Sequence, residues 1–261
     1  MKSILSLSTC ILACASATCG HAADDLTVVS NVTTNGKPAG SETNYLSNDH
    51  IRTSRAGGTD MIINLKTGVM TTIDEKKKTY YEVTKQDMQA MQAKMAEKMN
   101  DPKMKQAMAM MQGMSNSMAG STEVRKTGAS RKVAGFACEE WSISMGGMMT
   151  MTECVTNDLQ YPVQSWAALA DFQESMRKSM SGSGFGPSAK ASADFAEKMK
   201  SIKGFPVASS STVGAGGVKM TTSSEVTEVR HTAIAASIWE VPAGFAKVEN
   251  PMMRAFQEHG R

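Results

Sequence analysis

Residues 131–155 read RKVAGFACEEWSISMGGMMTMTECV, and the fold is read outward from this stretch. Side chains at 134, 136, 138, 140 and 142 fall on one side of an extended strand, and those at 137, 139, 141 and 143 on the other. Met145-Gly146-Gly147 then forms a bend, because glycine reaches the positive φ values that tight hairpin loops demand. A loop centred on Gly146 makes Cys138 and Cys154 equidistant from the turn, so the two cysteines face each other across the ladder.

They are also the cysteines that remain once a leader is removed. Lys2 supplies a basic start, residues 4–17 an apolar run, and Gly20-His21-Ala22-Ala23 the small residues of a cleavage position, so residues 1–23 read as a secretory signal peptide. The apolar run is too short to stay behind as a membrane anchor. Cys14 and Cys19 raise a lipid-anchored form as the alternative, but Ala17-Thr18-Cys19 fits a lipid-attachment site poorly, and a soluble periplasmic or secreted protein is expected. In an oxidising compartment Cys138 and Cys154 form a disulfide more readily than a metal site. With 28 basic and 25 acidic residues among 261 the formal charge is +3, too balanced for a nucleic-acid binder, and Lys76-Lys77-Lys78 is an isolated basic cluster.

From residue 24 to residue 83 the chain alternates in short runs. Residues 26–32, 60–65, 69–74 and 79–83 read as strands of an antiparallel meander, divided by Asn35-Gly36, Lys66-Thr67-Gly68 and Glu75-Lys76-Lys77. At Thr84 the period changes. Thr84 with Asp87 forms a cap, and Met88, Met91, Met95 and Met99 recur at helical spacing. Asp101-Pro102 opens a second helix carrying Met104, Met108, Met111, Met114 and Met118, so residues 85–118 form a methionine-rich helical insertion. Residues 122–126 give a strand before the central hairpin. A third helix follows Asn157-Asp158, with Val163, Trp166, Leu169, Phe172, Met176 and Met180 on one side. Ser188 caps a shorter helix that Gly204 ends. Residues 205–213, 218–231 and 237–241 return to strands. Residues 24–261 thus make one α+β domain.

Two segments carry a resemblance. Residues 234–249, IAASIWEVPAGFAKVE, resemble the closing strand of the bacterial lipoprotein-carrier superfamily of the LolA and LolB type, and residues 60–81 resemble its central meander. Residues 135–141, 221–229 and 239–245 look like an uncharacterised exported family within it, a domain of unknown function. The resemblance implies a curved antiparallel sheet, a half-open barrel, with amphipathic helices covering the concave face over an apolar cavity that shelters acyl chains. It also implies that an arginine on an early strand, Arg52 or Arg55, bonds the carbonyls of a lid helix, although a solvated face is the commoner role.

On this basis the ligand-binding residues are Met88, Met91, Met95, Met104, Met108, Met111, Trp166, Phe172 and Met176. Their apolar faces have to cover something, and methionine adapts to irregular ligands. The expected partner is an apolar small molecule, lipid or lipoprotein acyl chain, with transient contact to the membrane or envelope proteins. Neither catalytic residues, a resident metal nor a cofactor is expected. Nucleophile elbow, zincin and phosphate-loop motifs are missing, Ser181 to Gly186 follows a helix rather than a strand, and His50, His231 and His259 lack ligand spacing. The runner-up is a periplasmic copper(I) protein, since thioethers suit that soft ion and Met145, Met148, Met149 and Met151 crowd the hairpin tip. An envelope structural or stress-sensing partner is the third alternative.

Overall fold

A computed structural model describes residues 25–98, 122–145, 149–162, 195, 197–215, 218–251 and 253–254. Six strands come first: β1 (Leu26–Thr34), β2 (Lys37–Leu46), β3 (His50–Arg55), β4 (Thr59–Asn64), β5 (Val69–Asp74) and β6 (Thr79–Val83). Helix α1 (Lys85–Lys98) follows. Then come β7 (Thr122–Val133), β8 (Phe136–Met145), β9 (Met149–Thr156), β10 (Phe205–Ala215), β11 (Val218–Arg230), a 3-10 turn at Ala236–Trp239 and β12 (Ala246–Lys247).

All twelve strands join one open sheet in the order β12-β6-β5-β4-β3-β2-β1-β11-β10-β9-β8-β7. Two meanders, β1–β6 and β7–β11, meet where β1 pairs antiparallel with β11. This corrects the expectation of an α+β half-barrel with helices over its concave face. The described residues are nearly all β, and among them no helix covers a concave face. Residues 205–213 form a strand as expected, whereas β2 (KPAGSETNYL) and the second half of β7 (TEVRKTGASRKV) carry few apolar residues to alternate, so their sequence does not mark them as strands. Their polar runs pair well in a sheet without giving a hydrophobic period.

Turns and caps were more legible. Asn35 and Gly36 have φ of 50° and 75°, the left-handed pair that joins β1 to β2 in a tight hairpin. At the start of α1, the Thr84 backbone N–H and hydroxyl both donate to Asp87 Oδ2, at 2.8 and 2.7 Å, and the Asp87 N–H donates back to Thr84 Oγ1 at 3.1 Å. This reciprocal cap satisfies donors that the first turn leaves unpaired.

The central hairpin forms with a shifted register. Met145 pairs with Met149, so the connection is residues 146–148, and Cys154 lies opposite Glu140 rather than Cys138. The disulfide still closes between these offset positions, with Cα atoms 5.3 Å apart and both cysteines 3% exposed.

The core runs along the sheet from Leu26, Val28 and Ile63 in the first meander to Val207, Phe205 and the disulfide in the second. Leu159, after β9, packs into it at 1% exposure, and the Tyr161 ring lies 4.5 Å from that of Phe205. The second meander curls strongly. Arg131 on β7 donates to Glu225 on β11 at 2.7 Å, with β8, β9 and β10 between them. A flat sheet would separate those strands by roughly 19 Å at the usual spacing.

After β11 the chain returns as a strap. Asp25 accepts the Ile234 N–H at 2.9 Å, the 3-10 turn crosses β3, and β12 adds parallel to β6. Residues 237–241, expected as a strand, include the end of this turn. Pro242 cannot donate to a ladder, and Trp239 instead stacks on His50 with ring centroids 5.3 Å apart.

Candidate functional site

The ladder sorts side chains of the second meander onto two faces of opposite character. Asn31, Glu225, Ala208, Cys154 and Glu140 are successive partners across β1, β11, β10, β9 and β8 and share the face that Arg131 and Glu225 bridge. This concave side holds a cavity of about 410 Å³ whose lining includes Asn31, Thr152, Ser210, Ser223, Glu140 and Arg131. Ser210 and Ser223 share a hydrogen bond at 2.9 Å, and Thr127 donates to Glu140 at 3.0 Å. The gutter is therefore lined mostly by hydroxyl-bearing, amide and charged residues, where the resemblance implied an apolar cavity. The serines of β10 are the reason: alternate positions of its middle present hydroxyls to both faces.

The opposite face is apolar toward the hairpin ends. Thr122, Met145, Met149, Val213 and Met220 form one cross-strand row from β7 to β11. Val124, Ile143, Met151, Ser211 and Thr222 form the next. Ile143 is 1% exposed, whereas Val213 and Met220, directly opposed, are 46% and 52% exposed. The third row contains Lys126, Trp141, Glu153 and Ser209. Lys126 lies 5.4 Å from the Trp141 ring centroid and also pairs with Glu139, a cation–π arrangement. Burial pushes the Glu153 carboxyl above its ordinary range. Tyr161 is raised by burial first and then by the negative charge of Glu153.

In the first meander the strap closes over buried charge. Arg52 Nη2 and Nε donate to Asp60 Oδ2 at 2.6 and 3.2 Å, and Arg52 Nη1 donates to the Ile238 carbonyl at 2.7 Å. Arg52 is 8% and Asp60 2% exposed. An arginine–carbonyl latch thus exists, but its target is the 3-10 turn. Arg55 pairs with Glu42 at an exposed position. Beside the latch, His50 Nδ1 donates to Asp49 at 2.7 Å and Nε2 accepts from Asn64 at 3.0 Å, so both ring nitrogens are engaged. The Lys66 ammonium, and after it His50, holds the Asp49 carboxyl down at about 2.

Of the residues expected to bind ligand, Met88 and Met91 lie half-buried on α1. Met95 lies on the same helix, with its side chain outside the described residues, as are Met104, Met108, Met111, Trp166, Phe172 and Met176 altogether. Sequence reasoning missed Arg131, Glu140 and Glu225 in the gutter and Val213 with Met220 on the apolar face. The sequence signal for the last two is the glycine-rich stretch 214–217 between two strand-like runs, which marks them as candidate cross-strand partners. Among the described residues no three His, Cys, Asp or Glu side chains group as metal ligands.

The family described as Domain of unknown function (DUF4412) matches residues 29–245. The chain belongs to this family. The match covers both meanders, the disulfide hairpin and the strap through the 3-10 turn. No curated protein matches. Among solved structures, one titled "Structure of PNGF-II in C2 space group" is similar at 11% identity and a TM-score of 0.40, over 91% of this chain and 33% of that one. The chain therefore spans about a third of the length of that protein.

Proposed function

We propose that this chain is an exported, non-enzymatic binding protein that holds the acyl chain of a lipid or lipoprotein against the apolar face of its second meander. The observation that carries the proposal is the opposed pair Val213 and Met220, large apolar side chains left 46% and 52% exposed on a face whose next row includes the buried Ile143. Apolar surface of this kind gains free energy by leaving water. The polar gutter on the other side is a poor host for a hydrocarbon chain, since its hydroxyls and its ion pair would lose water without new partners. Supporting considerations are the leader-like residues 1–23 and the resemblance of residues 60–81 and 234–249 to the LolA and LolB type of carrier. In this account contact with the membrane or envelope proteins is transient, at the loading and release of cargo.

The test is a titration with a pyrene-labelled fatty acid, followed by fluorescence and by the melting temperature. The wild type binds and melts at a higher temperature, because a ligand that favours the folded state stabilises it. Val213→Asp with Met220→Asp places charge in the patch at exposed sites where the fold itself loses little, and probe binding falls. Equal binding by wild type and variant would refute the assignment of this face.

A further inference from the structure

We infer that the tip of the β8–β9 hairpin is a copper(I) site built from the thioethers of Met145, Met149 and Met151. The inference goes beyond the acyl-chain proposal and does not use the Val213–Met220 pair. Its starting point is placement. Met145 and Met149 are direct cross-strand partners, and Met151 lies two residues along β9 on the same side, opposite Ile143. Directly opposed Cβ atoms in an antiparallel ladder lie about 4.5–5.5 Å apart, and diagonal ones remain within reach of long side chains. Three unbranched side chains therefore converge on one patch of the sheet, each partly exposed.

Residue choice strengthens the argument. Strand positions favour β-branched and aromatic side chains, which pack on a pleated surface, and the same face uses Val124, Ile143 and Val213 for that purpose. Methionine is a helix-favouring, flexible residue that specifies packing poorly. Three methionines at neighbouring strand positions supply what valine or isoleucine cannot, a set of soft sulfur donors.

The chemistry of the donors selects the ion. Thioether sulfur suits copper(I), and carboxylate or imidazole donors are needed for harder divalent ions. The two rows that hold the three methionines, from β7 to β11, carry no carboxylate and no imidazole, and the next row adds the single carboxylate of Glu153, two residues beyond Met151. A neutral donor set holds a monovalent soft ion without neutralising further charge. The nearby Lys198 ammonium is directed at the Thr122 carbonyl, at 2.6 Å, a cation that disfavours a divalent ion more than a monovalent one.

The experiment is an anaerobic titration of the whole mature protein, labelled with 13C at the methionine methyl groups, with copper(I) kept reduced by ascorbate and, in parallel, with redox-inert silver(I). The methyl signals of Met145, Met149 and Met151 are expected to shift first and to saturate together at a single equivalent. Met145→Leu with Met149→Leu and Met151→Leu, which conserves volume and apolar character, abolishes that first phase. Earlier saturation of methionines elsewhere, or a first phase retained by the triple variant, would overturn the inference. If the triple variant does not fold, the order of shifts in the wild type decides the matter alone. Failure of the acyl-chain proposal would leave this result untouched, because the fatty-acid probe reports on Val213 and Met220.

Discussion

Replacing Arg52 by leucine tests whether buried charge fastens the strap to the sheet. Asp60 is 2% exposed and receives two hydrogen bonds from the Arg52 guanidinium, leaving only the Arg55 backbone N–H at 3.3 Å when Arg52 is removed. A buried carboxylate stripped of its partner costs about 3–5 kcal/mol. The Ile238 carbonyl loses its donor as well, so the upper part of that range applies. In a domain of this size each kcal/mol lowers the melting temperature by about 2–4 °C, and the expected fall is about 8–20 °C. Asp60→Leu alone does comparable damage by orphaning the guanidinium. The double variant Arg52→Leu with Asp60→Leu recovers much of the loss, because an apolar pair of suitable size often replaces a buried ion pair at little cost. Urea unfolding of the wild type, both single variants and the double variant closes the cycle. Additive losses, or an Arg52→Leu cost under about 1 kcal/mol, would show that the pair contributes no more than an exposed one and refute the reasoning.

Three further outcomes follow from local geometry. Gly204 has φ of +113°, and a Cβ there would sit 2.3 Å from the Thr156 carbonyl oxygen, so Gly204→Ala is expected to cost about 3 kcal/mol or more in urea unfolding, and a neutral result would refute the close approach. The Glu153 carboxyl is raised in the folded state by burial, so the folded protein binds more protons than the unfolded one and stability falls as pH rises past the ordinary glutamate range. Glu153→Gln should therefore stabilise at neutral pH, with the gain shrinking in acid; an unchanged gain at low pH would contradict the assignment. Cys138→Ala with Cys154→Ala removes a short-range crosslink worth about 3 kcal/mol, lowering the melting temperature of oxidised protein, while reductant no longer affects the variant.

Parts of the fold were legible because their signals are local. β5 and β6 alternate around glycine and lysine turns, and the Thr84–Asp87 cap requires only four consecutive residues. The cysteine pairing was read correctly, while its register was misjudged by two residues, since moving the loop centre from Gly146 to Gly147 carries Cys154 from opposite Cys138 to opposite Glu140. β2 and the second half of β7 were obscured by glycine, serine and charged residues, which give no hydrophobic alternation. No local pattern could report that β11 pairs with β1, or that Arg131 and Glu225 meet across three strands. The candidate site was harder still. Met145, Met149 and Met151 stood out as a crowd, but their common face follows from the hairpin register, and the exposure of Val213 and Met220 follows from tertiary packing.

The most direct test of the binding account is native mass spectrometry of the protein expressed from its full sequence and recovered without detergent. The account predicts a mature chain lacking its leader, carrying the mass of an acyl-bearing molecule that is lost on activation in the gas phase and is reduced in the variant with Val213→Asp and Met220→Asp. A full-length or ligand-free mass, with no uptake of lipid from added vesicles, would contradict it.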